Sequence, residues 1–368
     1  MTYFIFTLGC QMNIFDSERI DAVLKSCGLK PVPEDQADLI VVNACSVRQS
    51  AVDRIYGKLR NWQGKKIIIT GCILPHDKKK LAKKVNLIFD IKNLPKLPQF
   101  LSQIYSKNHH DIERDSISLP PLPITRYSLL RNKLKNKNEV FVPIMVGCDN
   151  FCTYCAVPYT RGREISRPER EIIAEVKALV KQGAKRIILL GQNVNNYGGN
   201  QRLVASDQRK SPFVTLLKKL SKLPGDFKIS FLTSNPWNFP DELIELIAKE
   251  PKLSKEIHLP LQSGDDEVLK RMNRHYTTKE YLQLINDLQF RIHDLRLSTD
   301  IIVGFPGETK KAFENTVKLC KMAKFDKAYV AMYSPRPGTA AAKLYEDDVP
   351  YEEKKRRWQI LNKMINKN

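Results

Sequence analysis

Apolar residues along this chain follow two alternating patterns. Short unbroken apolar runs are followed by stretches in which apolar residues return every three or four positions. The first pattern suits strands buried on both faces, the second suits helices with one buried face. Within the first hundred residues, runs at 3–7, 39–43, 66–70 and 87–90 predict strands, and 16–27, 49–62, 77–84 and 97–105 carry helical periodicity. This alternation predicts an α/β domain: a small, flavodoxin-like parallel sheet with helices on both faces. Such sheets bind ligands beyond the carboxyl ends of their strands.

The rhythm breaks over 106–138, where Pro120-Pro121-Leu122-Pro123 precedes Arg126, Arg131, Lys133, Lys135 and Lys137. Proline fixes φ and removes a backbone donor, so this segment predicts a linker with a basic end. A second series then begins. Strands are predicted at 141–145, 186–190, 228–232, 256–259, 296–303 and 327–333, with helical segments such as 168–182, 240–249 and 277–289 between them. Six βα units predict a partial (β/α)6 barrel with its reactive loops at the carboxyl face. A charged helix over 351–367 closes the sequence. The expected organisation is therefore 1–105, a linker over 106–138, a barrel over 139–340 and a helical extension over 341–368.

Composition changes this picture in one respect. Sixty-one Lys plus Arg against forty Asp plus Glu leave a charge of +21 on 368 residues. An excess of that size suggests a polyanionic partner, most often nucleic acid, although a lysine-rich background contributes. No apolar run approaches the ~20 residues needed to span a bilayer. Residues 1–8 read as a first strand rather than a signal peptide, because no basic leader precedes them. Eight cysteines without a secretory signal point to a reducing cytoplasm, where thiols serve metals or catalysis.

The cysteines carry the chemistry. Cys148, Cys152 and Cys155 stand at Cys-x3-Cys-x2-Cys spacing. Three thiolates are one short of the four irons of a cubane cluster, so one iron would keep an open position. The competing readings are a zinc site short of its fourth ligand and cysteines buried as small hydrophobes. Cys10, Cys45 and Cys72 lie just past three predicted strands and so converge on one edge of the first sheet. Cys27 and Cys320 fall in apolar helical stripes with Ile20, Val23 and Leu24 and with Phe313 and Val317, and read as buried packing.

Two cysteine triads in one chain resemble the radical S-adenosylmethionine (SAM) methylthiotransferases. The likeness extends to Thr7-Leu-Gly-Cys-Gln-Met-Asn13, Asn43-Ala-Cys-Ser-Val-Arg48, Thr70-Gly-Cys72, Val157-Pro-Tyr-Thr-Arg-Gly162, Leu190-Gly-Gln-Asn-Val-Asn195, Leu259-Pro-Leu-Gln-Ser-Gly264, Asp300-Ile-Ile-Val-Gly-Phe-Pro-Gly-Glu308 and Tyr333-Ser-Pro-Arg-Pro-Gly-Thr339. It covers nearly the whole chain. It implies two [4Fe-4S] clusters, one on Cys148, Cys152 and Cys155 that cleaves SAM, the other on Cys10, Cys45 and Cys72 as sulfur donor or carrier. The implied activity is methylthiolation of C2 of N6-isopentenyladenosine next to the tRNA anticodon. Sister branches modify N6-threonylcarbamoyladenosine in tRNA or an aspartate of a ribosomal protein. A non-catalytic iron–sulfur RNA-binding protein is the alternative from another class.

The resemblance implies roles for further residues. Tyr154, Gln192, Asn193, Gln262, Ser263, Gly304 and Gly307 would contact SAM. Arg161, Arg163 and Arg167, beside the cysteine loop, would grip SAM carboxylate or RNA phosphate, and Arg126, Arg131 and Lys133 of the linker would meet RNA. Implied partners are the tRNA anticodon loop, an electron donor such as flavodoxin or ferredoxin, and a sulfur source. The family continues into a C-terminal β-barrel that grips tRNA, whereas this sequence stops after the last helix. RNA contacts are therefore expected of the linker and of Lys354, Lys355, Arg356 and Arg357. Asn235 stands where the family pattern leads one to expect a histidine, and it is assigned no role.

Overall fold

The computed structural model describes residues 1–47, 49–105, 138–199, 211–232 and 234–366. Met1–Lys133 and Leu134–Asn368 form two compact units. The basic linker residues Arg126, Arg131, Lys133, Lys135 and Lys137 lie outside the described residues.

The first unit runs β1 (Thr2–Thr7), α1 (Gln11–Ser26), β2 (Lys30–Pro31), β3 (Leu39–Cys45), α2 (Gln49–Leu59), β4 (Lys66–Cys72), α3 (Pro75–Leu81), β5 (Leu87–Ile88) and α4 (Leu97–Tyr105). The strands form one parallel sheet in the order β2-β1-β3-β4-β5, the flavodoxin-like order. Every residue of β3 is buried, which explains why it reads as an unbroken apolar run. Successive side chains still take opposite faces. Leu39 and Val41 join Ile20, Leu24, Leu97 and Leu101 on one side, while Ile40 and Val42 join Ile55, Ile69 and Leu81 on the other. The order reverses between β1 and β3, so their carboxyl ends form the crevice where such sheets hold ligands.

The second unit runs β6 (Val140–Pro143), β7 (Met145–Val146), α5 (Val157–Thr160), β8 (Ile165–Ser166), α6 (Glu169–Lys181), β9 (Arg186–Leu190), α7 (Pro212–Ser221) and β10 (Lys228–Phe231). It continues with α8 (Asp241–Lys249), β11 (Glu256–His258), α9 (Asp266–Arg271), α10 (Thr278–Arg291), β12 (Arg296–Val303), α11 (Lys310–Ala323), β13 (Lys327–Met332), α12 (Ala340–Leu344) and α13 (Tyr351–Ile365). Six parallel strands are present but fall into two ladders, β10-β9-β6 and β11-β12-β13. Between the ladders, Ile229 of β10 pairs with Leu253 just ahead of β11. One apolar core of Val142, Leu189, Ile229, Ile257, Leu297 and Ile301 runs through both, packed against the helices.

Three expectations change. The run 141–145 is not one strand: β6 stops at Pro143, and β7 leaves the barrel to pair antiparallel with β8. Cys27 is exposed, because α1 ends at Ser26 and position 27 caps the helix instead of facing the core. The C-terminal helix is no appendage. Leu361 is fully buried in the barrel core, and Trp358 Nε1 donates to the Val330 carbonyl of β13 at 2.9 Å.

Candidate active site

In the first unit, Cys10, Cys45 and Cys72 meet at the carboxyl edge of the sheet. Cys45 and Cys72 are register partners in neighbouring strands, which places their backbones about 5 Å apart. Cys10 precedes α1 and is brought alongside by Gly9. A Cβ on Gly9 would lie only 3.0 Å from the Cβ of Cys45, and its φ of +120° suits only glycine. An asparagine pair backs the cysteines. Asn13 Nδ2 donates to Asn43 Oδ1 and to the Ala44 carbonyl, both at 3.0 Å, while Asn43 Nδ2 donates to the Asn13 carbonyl at 2.7 Å and to Ser17 Oγ at 2.9 Å. Cys10 Sγ reaches Asn13 Oδ1 at 3.5 Å. Both asparagines lie inside the sequence words that carry the family likeness, but nothing in their spacing announced that they pair.

In the second unit, the β7–β8 ribbon carries the loop of Cys148, Cys152 and Cys155. Gly147 has φ +83°, and a Cβ there would sit 2.1 Å from the Arg163 carbonyl oxygen. Its N–H donates to Gln192 Oε1 at 2.6 Å. The link between α9 and α10 holds the loop from the other side. Thr153 donates its N–H to the Met272 carbonyl at 3.0 Å and its hydroxyl to the Arg271 carbonyl at 2.8 Å. Arg274 donates to Cys152 Sγ at 3.5 Å and to the Pro260 carbonyl at 3.2 Å, with its guanidinium 4.7 Å from the Trp237 ring centre.

The donor chemistry fits iron. Burial pushes the Cys148 thiol up to about 11 and the Cys155 thiol up to about 12, and a bound metal cation would favour their thiolates. Among the described residues, no three cysteine, histidine or acidic side chains close on a single-ion position. A multi-iron cluster, whose ligands attach to separate irons, needs no such closure. The carboxyl end of the barrel also carries unpartnered buried polar atoms. Asn193 Nδ2, Ser234 Oγ, Gln262 Oε1 and Ser263 Oγ are buried without a hydrogen-bond partner. They follow β9, β10 and β11 at the carboxyl end of the barrel. Each such atom costs about 1–3 kcal/mol unless a ligand or water satisfies it.

Comparison with known proteins completes the assignment. The Radical SAM superfamily model matches residues 142–320, and the Uncharacterized protein family UPF0004 model matches residues 2–90. The chain is 41% identical to the tRNA-2-methylthio-N(6)-dimethylallyladenosine synthase of Clostridium botulinum (strain Hall), covering 99% of this chain and 81% of that protein. The synthase of the same name from Carboxydothermus hydrogenoformans is 39% identical, with 99% and 83% covered. The chain belongs to this synthase family. Among solved structures, the radical SAM methyltransferase TsrM from Kitasatospora setae matches with a TM-score of 0.64 at 12% identity, over 93% of this chain and 75% of that one, a likeness of fold.

The residues expected to contact SAM divide. Asn193, Gln262 and Ser263 present the unpartnered atoms described above. Gln192 is engaged in orienting the cysteine loop. Tyr154 packs edge-on to Phe305, with ring centres 6.5 Å apart, and wedges the loop against an apolar cluster with Val268 and Met272. Gly304 and Gly307 make room for protein. A Cβ on Gly304 would strike Lys354 at 2.3 Å, one on Gly307 would strike Arg271 at 2.2 Å, and their N–H groups serve Glu308 and Asp348. They form a strand-end turn packed against these side chains.

The expected RNA contacts also divide. Arg163 is exposed, 3.0 Å from Asp149 and over the Phe151 ring. Arg167 is buried, lies 2.7 Å from Glu175 and donates to the Pro143 carbonyl, so its charge is used inside the barrel. Arg161 is buried as well. In α13, Lys354 and Arg357 are buried, the first against the Tyr333 carbonyl and Asp347, the second against Glu308. Arg356 pairs with Glu353, and Lys355 is exposed. The two buried cations of this helix face inward because the surface it packs on carries the carboxylates that need them.

Sequence reasoning missed a ladder of asparagines. Asn235 donates to Asn193 Oδ1 at 2.5 Å and exchanges two bonds with Asn195, each at 2.9 Å. Asn238 donates to Asn196 Oδ1 at 2.9 Å, and Asn196 donates to Glu164 Oε1 at 2.7 Å. Asn235, given no role from the sequence, thus locks the β9 and β10 loops together. Burial pushes the Glu164 carboxyl up to about 7, with Asp149 adding to the effect.

Proposed function

We propose that this protein replaces the C2 hydrogen of N6-isopentenyladenosine (N6-dimethylallyladenosine) next to the tRNA anticodon with a methylthio group. One observation carries this reading: two cysteine triads, one at the carboxyl edge of the N-terminal parallel sheet and one on the loop of the β7–β8 ribbon that follows the first barrel strand, in a chain 41% identical over nearly its full length to synthases of that modification. Adenine C2–H is an unactivated aromatic bond that no side chain deprotonates at neutral pH, so the hard step belongs to cofactors. When bound, a cluster on Cys148, Cys152 and Cys155 supplies reductive cleavage of SAM, and one on Cys10, Cys45 and Cys72 supplies a docking site for sulfur.

The chain's own residues bind, orient and exclude. Arg274 places a fixed positive charge against Cys152 Sγ. Asn193, Gln262 and Ser263 offer buried polar atoms to the amino acid or nucleoside end of SAM. Gly147, Gln192 and the asparagine ladder hold the loop so that these groups need little reorganisation. No helix among the described residues is long and apolar enough to cross a membrane. The electron would come from a low-potential carrier such as flavodoxin or ferredoxin, and the sulfur from a separate source.

The test is nucleoside mass spectrometry of tRNA from cells with and without the gene. Loss of the 2-methylthio nucleoside with accumulation of isopentenyladenosine is expected. An unchanged isopentenyladenosine pool, with loss of a modified threonylcarbamoyladenosine or ribosomal aspartate instead, overturns the substrate.

A further inference from the structure

The cations that the sequence offered for RNA on α13 and behind the cysteine loop are largely used inside the second unit, so the exposed positive charge has to be sought elsewhere. The first unit holds a concentrated patch of it. Tyr56 of α2, with Lys79 and Lys80 at the end of α3 and Lys83 and Lys84 just past it, lines an open groove of about 880 Å³. All four lysines are exposed, and none is in an ion pair among the described residues. Lys79 with Lys83, and Lys80 with Lys83 and Lys84, stand three or four positions apart. The Tyr56 hydroxyl is buried without a hydrogen-bond partner. Asp77, the acidic neighbour that acts on Tyr56, is buried.

We infer that this groove is a docking surface for the phosphate backbone of RNA. The inference rests on the tRNA reading above and extends it to a surface in the N-terminal unit. Four ammonium groups supply the mobile, sequence-independent charge that phosphates attract. An acidic protein segment could meet the lysines through its carboxylates, but the tRNA reading already brings a polyanion to this chain. RNA phosphates recur along a strand and so meet several of the exposed lysines at once. The groove is separated from Cys72 by the length of α3, on the order of 10 Å, so it would hold backbone flanking the modified nucleotide and not the nucleotide itself.

The experiment uses the full chain, anaerobically loaded, with a fluorescent anticodon stem-loop and an intact tRNA titrated at several salt concentrations. The first variant carries Lys79→Gln, Lys80→Gln, Lys83→Gln and Lys84→Gln together. The second carries Tyr56→Phe. A control removes the same charge from exposed lysines on α6 and α11: Lys177→Gln, Lys181→Gln, Lys318→Gln and Lys321→Gln. The groove variant should bind at least tenfold more weakly, and its log–log salt slope should flatten by roughly 0.7–0.9 for each phosphate that the lysines no longer neutralise. Tyr56→Phe, which removes only a buried hydroxyl, should bind like the wild type, and RNA-independent SAM cleavage should be unaltered in both. A groove variant that binds like the wild type, or no worse than the control, overturns the inference while leaving the tRNA reading intact. A wild-type protein that binds neither RNA overturns both.

Discussion

Replacing Arg357 with methionine should destabilise the barrel without touching RNA affinity directly. Arg357 Nη1 donates to Glu308 Oε2 at 2.6 Å and to the Glu308 carbonyl at 2.7 Å, and Nε donates to Glu353 at 2.7 Å. The two side chains of the Arg357–Glu308 pair are 5% and 1% exposed. Removing one partner of a buried pair costs about 3–5 kcal/mol, because the other charge stays buried and uncompensated. At roughly 2–4 °C per kcal/mol for a unit of this size, the melting temperature should fall by on the order of 10 °C. Burial already raises the Glu308 carboxyl, and loss of Arg357 raises it further. A raised carboxyl pKa in the folded state makes folding less favourable as pH rises, so the defect should be largest above neutrality and shrink in acid, where Glu308 protonates. Adding Glu308→Gln should recover most of the loss, since the amide oxygen can still accept from Gly304. Thermal unfolding of the cluster-loaded protein from pH 5 to 8, with RNA binding in parallel, checks this. An Arg357→Met variant with unchanged melting but weakened RNA binding would refute the buried-pair account and return Arg357 to the RNA surface.

Four further outcomes are expected. The anaerobically reconstituted protein should hold two four-iron clusters, and replacing Cys148, Cys152 and Cys155 together should leave one, read by iron and sulfide content and Mössbauer spectra. Cys152→Ala should abolish reductive SAM cleavage, whereas Cys45→Ala should retain some cleavage but lose methylthiolation; product formation by Cys45→Ala at the wild-type level would remove the first triad from the sulfur role. Gly147→Ala should lose most of the cluster on its loop, because φ +83° costs a non-glycine residue about 1–2 kcal/mol and the new Cβ strikes the Arg163 carbonyl, and iron content per chain reports it. Glu164→Gln should be more stable than the wild type above pH 7 by up to roughly 3 kcal/mol, with the difference closing toward pH 4.5. The Glu164 pKa of about 7 lies above its usual 4.5, so the folded wild type loses stability across that window; parallel melting curves at all pH values would refute the shift.

The sequence by itself determined the two α/β units and the likeness to the synthase family. Buried parallel strands must be continuous apolar runs, and cysteine spacing in a loop or just past a strand survives any detail of packing. It could not say that 141–145 would break into two strands. That break depends on β8, a partner some twenty residues away that turns the cysteine loop into a ribbon. It also could not separate a solvated arginine from a buried one. Arg163 and Arg167 share a sequence neighbourhood, yet one is exposed beside Asp149 and the other is buried against Glu175 of α6. Lys354, Arg357 and Asn235 were misread or left without a role for the same reason: their partners, Asp347, Glu308 and Asn193, come from elements that only the tertiary structure brings alongside. Period and spacing are local properties of a chain, but whether a charge or an amide is satisfied inside the fold is decided by residues remote in sequence.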